Sequence, residues 1–137
     1  VTISQALFIG SVASMISAGA ISLLAKTSIV DDTLDVFPCH GVGGMTGMIM
    51  TGLFASTAVN AVVLPAEQGL FITGDPALFV KHLIALGIVV AYSLVGAYVL
   101  LFITDKISPL RVSEEEEEKG LDITQHDEKF VIADLIK

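Results

Sequence analysis

The sequence predicts an all-α membrane protein with three transmembrane helices and a short cytoplasmic helical tail. Two observations carry this prediction. Of the 137 residues, 53% are hydrophobic and only 16% are charged, whereas about 25% are charged in a typical soluble domain. The charges are also segregated, because residues 1–104 hold five acids and two bases and residues 105–137 hold ten acids and five bases. An apolar body with a charged extension is typical of an integral membrane protein.

Three apolar stretches are long enough to cross a bilayer, which requires about 20 apolar residues in a helix. We expect the spans at about 4–25, 33–57 and 78–104. Residues 1–108 then form a transmembrane segment, and residues 109–137 form a C-terminal regulatory tail. Helices in soluble cores seldom run this long without a charge, so we favour membrane spans over buried soluble helices.

Basic residues near the ends of the spans predict the orientation in the membrane. Lys26, Lys106 and Arg111 lie on one side, whereas Lys81 alone lies on the other. The excess favours a cytoplasmic loop at residues 26–35 and a cytoplasmic C-terminus.

Local signals predict where the second and third spans begin. Asp75 before Pro76 is typical of an N-cap followed by proline at the first helical position. The second span has two candidate starts. If Asp35 is the N-cap, Pro38 lies in the first turn and removes no hydrogen bond. If Asp32 is the N-cap, Pro38 is interior and kinks the helix, and we favour this second alternative.

The polar tail carries helix signals of its own. Ser113 followed three residues later by Glu116 is a capping box, which predicts a short helix at about 114–119. Asp122 with Gln125 is a candidate cap for a second short helix. The alternative for the glutamate run is a solvated face without helical structure.

A histidine inside the second span is the strongest candidate for chemistry. A helix that starts near Thr33 places His40 about 10 Å along its axis. An ionisable side chain at that depth is expected to face a bundle interior or a transport pathway. Imidazole donates at one nitrogen and accepts at the other, so it can pass a small hydrogen-bonding solute. The alternative is a histidine packed against a neighbouring helix. We interpret His82 as interfacial and His126 as solvated.

The glycines of the second span are expected to serve helix packing. Gly43 and Gly47 form a GxxxG pair, and Gly44 widens the small surface that lets helix backbones approach each other. A phosphate-binding loop is disfavoured because the stretch has neither the lysine nor the preceding strand. Cys39 is the single cysteine, so no internal disulfide forms. We predict no metal and no cofactor. The net charge of −8 also disfavours nucleic acid as a partner.

Two motifs resemble a known family. The stretch DDTLDVFPCHGVGGMTGMIMTGLFA resembles the penultimate membrane helix of the ammonium transporters (the Amt/Mep/Rh family), and LRVSEEEEEKGLDITQHDEK resembles that family's cytoplasmic C-terminal region. The resemblance covers essentially the whole chain. It implies the last three of eleven spans plus the tail of a homotrimeric protein, each subunit of which has its own narrow hydrophobic pore in the cell membrane.

The resemblance also implies roles for individual residues. His40 matches the second of two pore histidines, Val36 a position lining the cytoplasmic half of the pore, and Asp35 an acid at the inner end of that helix. Thr124 matches a tail threonine that is phosphorylated in some members, and His126 belongs to the tail motif. The implied function is a channel or transporter for ammonium and ammonia, not an enzyme, with a PII-type signalling protein as an expected partner. The alternative is an ammonium sensor that signals through its tail.

The sequence departs from the family pattern at three places, one of which is Phe130 and Val131 in the tail, where Ala-Tyr is usual. Pro38 and Cys39 stand where a glycine and a small aliphatic residue are usual, and a stiffer or kinked helix beside the pore is expected there. Asp127 stands where the tail has glycine, which leaves the geometry of the tail open.

Overall fold

The fold is helical throughout the residues that the computed structural model describes, which are 1–27, 32–59 and 67–128. These residues contain no strand, so the predicted all-α class is confirmed for them. In chain order, the elements are α1 (Ile3–Leu24), a π segment (Phe37–Val42), α2 (Gly43–Phe54), α3 (Leu70–Thr73), α4 (Ala77–Ile107), α5 (Glu114–Lys119) and α6 (Leu121–His126).

Two helices of the described residues, α1 and α4, are long and apolar enough to cross a membrane. They contain 22 and 31 residues and confirm the first and third predicted stretches as helices. The π segment of 6 residues continues into α2 of 12 residues without a break. Together they reach about 27 Å at 1.5 Å per residue, compared with a hydrocarbon core of about 30 Å. Their role as a further span stays a prediction.

The chain divides into two compact units, residues 1–91 and 92–137, with the boundary inside α4. In the first unit, α1 packs against both the π segment and α2, and α2 packs against α3. The approach between α1 and α2 is close, because a Cβ built on Gly43 would lie 3.1 Å from the Oγ of Ser17. Ser17 is itself buried. A residue without a side chain therefore sets the spacing of these two helices.

An aromatic cluster of Phe8, Phe54 and Phe71 joins α1, α2 and α3. The ring centroids of Phe8 and Phe54 are 6.0 Å apart, and those of Phe54 and Phe71 are 5.3 Å apart. Both pairs meet edge to face, which is a favoured geometry worth about 0.5–1.5 kcal/mol per pair. The cluster holds the C-terminal end of α2 between its two neighbours.

Six hydroxyl groups on the apolar helices form hydrogen bonds within their own helix. Each donates to the backbone carbonyl four residues earlier, at 2.8 to 3.0 Å, and these donors are Ser11, Ser14, Ser22, Thr46, Thr51 and Thr104. An unpaired hydroxyl in hydrocarbon costs several kcal/mol. The internal hydrogen bonds let these polar residues lie on helices of membrane-spanning composition.

Side-chain caps fix the starts of α1 and α4. Thr2 and Gln5 form a capping box at α1, in which the Thr2 hydroxyl accepts from the Gln5 amide and the Gln5 side chain accepts from the Thr2 amide. At α4 the carboxylate of Asp75 accepts from the amide of Ala77 at 2.9 Å. The predicted capping role of Asp75 is confirmed.

The tail helices follow one prediction and contradict another. The capping box at α5 is present, because the Ser113 hydroxyl accepts from the Glu116 amide and the Glu116 carboxylate accepts from the Ser113 amide. The predicted cap of α6 by Asp122 is wrong, because α6 begins at Leu121 and has no side-chain cap. Gly120 has a φ of 96° and turns the chain from α5 directly into α6. Gly120 is the one residue between the two helices, and it has no side chain with which to cap α6.

Asp127 adopts a conformation that glycine adopts readily. It ends α6 with a φ of 52°, in the left-handed region where aspartate is among the better tolerated residues. The next amide, of Glu128, donates to the carbonyl of Asp122 at 2.9 Å. The departure from glycine at this position therefore leaves a left-handed turn in place.

Candidate functional site

The candidate site lies at the start of the π segment, where every backbone donor of the first turn has an acceptor. The amides of Val36 and Phe37 donate to the two carboxylate oxygens of Asp32, at 2.8 and 2.7 Å. Pro38 brings no N–H group, and the next amide donates to the carbonyl of Asp35 at 3.0 Å. Unsatisfied donors at a helix start are costly in an apolar environment. Asp32 and Pro38 together remove that cost.

The favoured start of this helix at Asp32 is wrong. Asp35 has a φ of 54°, so a helix cannot run through it, and the helical backbone begins only after it. Pro38 therefore lies in the first turn, where its missing N–H costs no hydrogen bond. The expected kink from an interior proline is wrong for the same reason. Asp32 still accepts the first amides, but through its side chain from outside the helix.

A π-type turn follows the cap and contains His40. The amide of Gly43 donates to the carbonyl of Pro38, five residues earlier, which is the hydrogen bond that defines a π-helix. The ring of Phe37 lies over the backbone of Gly41, where an added Cβ would be 2.8 Å from a ring carbon. Single π turns inside helices frequently occur at functional sites.

The structure brings the predicted site residues of this segment together. Val36 and His40 are four residues apart, which places them as neighbours on one helix face, and Asp35 directly precedes them. Val36 is 52% exposed, and the side chain of His40 is exposed as well. Within the described part of the chain, no group forms a hydrogen bond with the His40 imidazole.

The three predicted packing glycines have different surroundings. Gly43 lies against Ser17, as described above, and has room for no larger side chain without a shift. Around Gly44 and Gly47, no described atom lies within 4 Å of an added Cβ. The described residues do not cover these two glycines, so their role in helix packing stays a prediction.

A groove runs along α1 beside the π segment. It has a volume of about 540 Å³ and is lined by glycine, alanine and serine residues and Ile21 of α1, together with Cys39 and Gly43. His40 is not among its lining residues. The groove therefore borders the candidate site from the side of Cys39 but does not include the imidazole.

The predicted tail residues lie in the second unit, on α6. The hydroxyl of Thr124 donates to the carbonyl of Gly120 at 3.0 Å, so it fixes the turn between α5 and α6. His126 is exposed in the last turn of α6. Neither residue belongs to the unit that holds His40.

Electrostatics of the tail centre on the start of α5. The pKa of Glu116 lies below its ordinary value of 4.5. The main cause is a hydrogen bond from the Ser113 hydroxyl, followed by one from the Ser113 amide, and the charge of Lys119 acts in the same direction. Arg111 forms an ion pair with Glu117 at 2.9 Å. The ionised form of the Glu116 carboxylate is thus the one that these contacts stabilise.

His82 makes a helix contact that the sequence did not predict, and its position at the membrane interface stays a prediction. Its Nδ1 lies 2.9 Å from the backbone carbonyl oxygen of Met48, and the residue is half-buried. It therefore packs against α2 from α4. Sequence reasoning missed this contact because 34 residues separate its two partners, and no local pattern connects them.

Comparisons with known proteins agree with the motif resemblance. The family model described as Ammonium Transporter Family matches residues 1–130. A protein named ammonium transporter from Bacillus subtilis (strain 168) is 38% identical over 129 residues, which cover 94% of this chain and 31% of that protein. The protein named ammonium transporter Amt1 from Archaeoglobus fulgidus is 36% identical over 128 residues, which cover 93% of this chain and 31% of that protein.

The chain thus spans 31% of the length of these relatives. The match includes both apolar helices, and together they support a membrane location for the chain. The match also includes the π segment with its capping aspartate and its histidine. The chain belongs to the ammonium transporter family.

Proposed function

We propose that this chain is the C-terminal part of an ammonium transporter, in which the π segment and α2 form a pore-lining span and His40 lies on the substrate path. The observation that carries the proposal is the position of His40. The family match spans this segment, and the imidazole is exposed and has no hydrogen-bond partner among the described residues. The side chain is thus available to a solute.

The chemistry of imidazole suits a neutral solute that both donates and accepts hydrogen bonds. Moving an unpaired ammonium ion into hydrocarbon costs far more than moving neutral ammonia. One nitrogen of His40 can accept from ammonia while the other donates, which replaces hydrogen bonds lost from water. Potassium cannot lose a proton, so the same path rejects it. We expect ammonium to release its proton before ammonia passes His40.

Val36 and Asp35 complete the proposed path on the cytoplasmic side. Val36 shares a face with His40 and offers an apolar wall. Asp35 lies at the inner end of this helix. Its left-handed backbone ends the loop, and its carbonyl accepts a hydrogen bond from the amide of Cys39. The glycines at 43, 44 and 47 are proposed to pack against neighbouring helices and keep the path narrow.

The remaining features of the proposal follow from the family. The complete protein is a homotrimer in the cell membrane, with α5 and α6 on the cytoplasmic side. The excess of basic residues at that side supports this orientation. Thr124 and His126 belong to a regulatory tail, for which a PII-type protein is the proposed partner.

Uptake of radiolabelled methylammonium by cells that express the full-length protein tests the role of His40. Loss of the hydrogen-bonding group from the proposed path is expected to cost about 1–3 kcal/mol, so His40→Ala should lower the uptake rate by about 5- to 150-fold. His126→Ala, which changes an exposed histidine of the proposed regulatory tail, is the comparison and is expected to lower the rate much less, because this residue lies outside the proposed path.

The outcomes separate the proposal from its alternative. Unchanged uptake by His40→Ala, with normal protein levels in the membrane, removes His40 from the path. A wild-type protein that does not transport but still changes a cellular response to ammonium supports the sensor function.

A further inference from the structure

A second histidine, His82, holds α4 against α2 at a position far from His40 along the chain. Its Nδ1 lies 2.9 Å from the carbonyl oxygen of Met48. The contact is possible because Gly52, one turn after Met48, has no side chain. A Cβ built on Gly52 would lie 3.2 Å from both Cβ and Cγ of His82 and 3.4 Å from the Cα of Phe79. Gly52 is buried, so α4 occupies the space that its missing side chain leaves.

The chemistry of this contact fixes the position of a proton. A backbone carbonyl oxygen only accepts hydrogen bonds, so the Nδ1 of His82 must carry the proton and donate. In the neutral ring, Nε2 is then without a proton. The carbonyl of Met48 has two lone pairs, one for the amide four residues later in α2 and one for His82. The imidazole therefore adds an interhelical hydrogen bond without removing one from the helix.

This end of α2 has an aromatic contact and a polar contact. The ring of Phe54 packs between Phe8 of α1 and Phe71 of α3. His82 supplies the polar contact that the described residues show between α2 and α4. Next to it, Lys81 pairs with Glu67 at 2.9 Å and ties the start of α4 to the preceding loop. Small residues and interhelical hydrogen bonds are the means by which helices associate in lipid.

We propose that His82 is a positioning residue that anchors α4 to α2 through its Nδ1–H donor and thereby fixes the placement of the helix that carries His40. Its effect on transport rests on the proposed function, whereas the hydrogen bond and its effect on stability do not. His82 contacts no solute in this role. It acts through the backbone of α2.

The first test is spectroscopic and uses the wild-type full-length protein in lipid bilayers. Solid-state ¹⁵N NMR of histidine-labelled protein distinguishes a protonated Nδ1 from a protonated Nε2, and loss of the signal in His82→Asn assigns it. The expected result is a ring that carries a proton on Nδ1. A ring protonated only at Nε2 overturns the proposal, because that form cannot donate to Met48.

The second test compares two substitutions of similar size. His82→Asn keeps an N–H donor near the position of Nδ1, whereas His82→Leu keeps a branched side chain without a donor. Interhelical hydrogen bonds in membranes typically change a folding equilibrium by about 3-fold and at most about 20-fold. We expect His82→Leu to lower the folding equilibrium constant within that range and His82→Asn to recover most of the loss. Equal values for the two variants contradict the proposal.

A double-mutant cycle with Gly52→Ala tests whether the glycine and the histidine act together. The added methyl group pushes the ring away from Met48, so Gly52→Ala is expected to destabilise the wild type more than it destabilises His82→Leu. Additive effects contradict the proposal. If the wild type does not take up methylammonium, the proposed function fails while the NMR and stability results still decide the anchor. If the wild type transports but Asn and Leu behave alike, the anchor fails and the proposed function stands.

Discussion

Removal of the Asp32 carboxylate tests how the candidate pore helix begins. Asp32→Ala takes away both acceptors for the amides of Val36 and Phe37, which now bond at 2.8 and 2.7 Å. Asp32→Asn keeps one oxygen and so keeps one of the two bonds. Because Pro38 has no N–H, the backbone donors of the first turn are these two amides and the amide of Cys39. The two variants therefore separate the contributions of the two bonds.

The expected magnitudes follow from this count. A hydrogen bond to a charged group contributes about 1.5–3 kcal/mol, and helix caps lost to alanine cost about 0.5–2 kcal/mol. Asp32 is half-buried, so solvent screens part of each bond. We expect about 2 kcal/mol of local destabilisation for Asp32→Ala and about 1 kcal/mol for Asp32→Asn. At about 1.4 kcal/mol per factor of ten, these values correspond to roughly 30-fold and 5-fold faster local opening.

Hydrogen–deuterium exchange of the full-length protein measures this opening in peptides that cover residues 36–42. Asp75→Ala is the matched control, because it removes a cap from α4 and should speed exchange at the start of α4 only. Wild-type protection of residues 36–42 in Asp32→Ala refutes the capping argument. An Asp32→Asn variant that exchanges as fast as Asp32→Ala refutes the separate contribution of each oxygen.

Two further predictions concern the loop and the tail. An added Cβ at Gly69 would overlap the carbonyl of Leu53 and lie 2.7 Å from the amide nitrogen of the residue that caps α2. Since backbone atoms cannot move aside cheaply, Gly69→Ala should destabilise the full-length protein by about 1–3 kcal/mol in thermal unfolding, whereas Gly87→Ala, which meets no described atom within 4 Å, should not. The pKa of Glu116 is lowered in the folded tail, so its stabilising effect is complete above the ordinary value of 4.5 and is lost as the pH falls through the lowered value. Helicity of α5, followed by NMR chemical shifts, should therefore fall on acidification below that value. Ser113→Ala should show lower helicity at pH 7 and a weaker acid dependence, and an unchanged acid dependence in this variant contradicts the assignment.

Short-range signals were the part of the fold that the sequence could predict. The capping box of Ser113 and Glu116 involves two residues three positions apart, and the cap of Asp75 acts on an amide two positions away. Such interactions form within a single turn and depend little on the rest of the protein. The long apolar runs of α1 and α4 were predictable for a different reason, because length and composition alone decide whether a helix can cross a bilayer.

Backbone geometry at the candidate site was beyond prediction from the sequence. Both Asp32 and Asp35 are good helix caps, and the choice between them depends on the left-handed φ of Asp35, which no neighbouring residue type demands. The hydrogen bond of His82 was equally hidden. Its partner is a backbone carbonyl in another helix, and backbone carbonyls carry no sequence signal. The glycine that admits the ring, Gly52, looks from the sequence like any other glycine in a small-residue helix.

The π turn has a consequence for how this segment is compared with other helices. An α-helix advances each side chain by about 100° around its axis, and a hydrogen bond over five residues instead of four accommodates one extra residue in the turn. A helical wheel drawn with uniform spacing from residue 37 to residue 54 therefore misplaces His40 by about one position relative to α2. Deletion of a single residue between Pro38 and Gly43 would restore uniform spacing and swing the imidazole about 100° around the helix. The direction of the His40 side chain therefore depends on the number of residues in the π turn as well as on the position of the histidine.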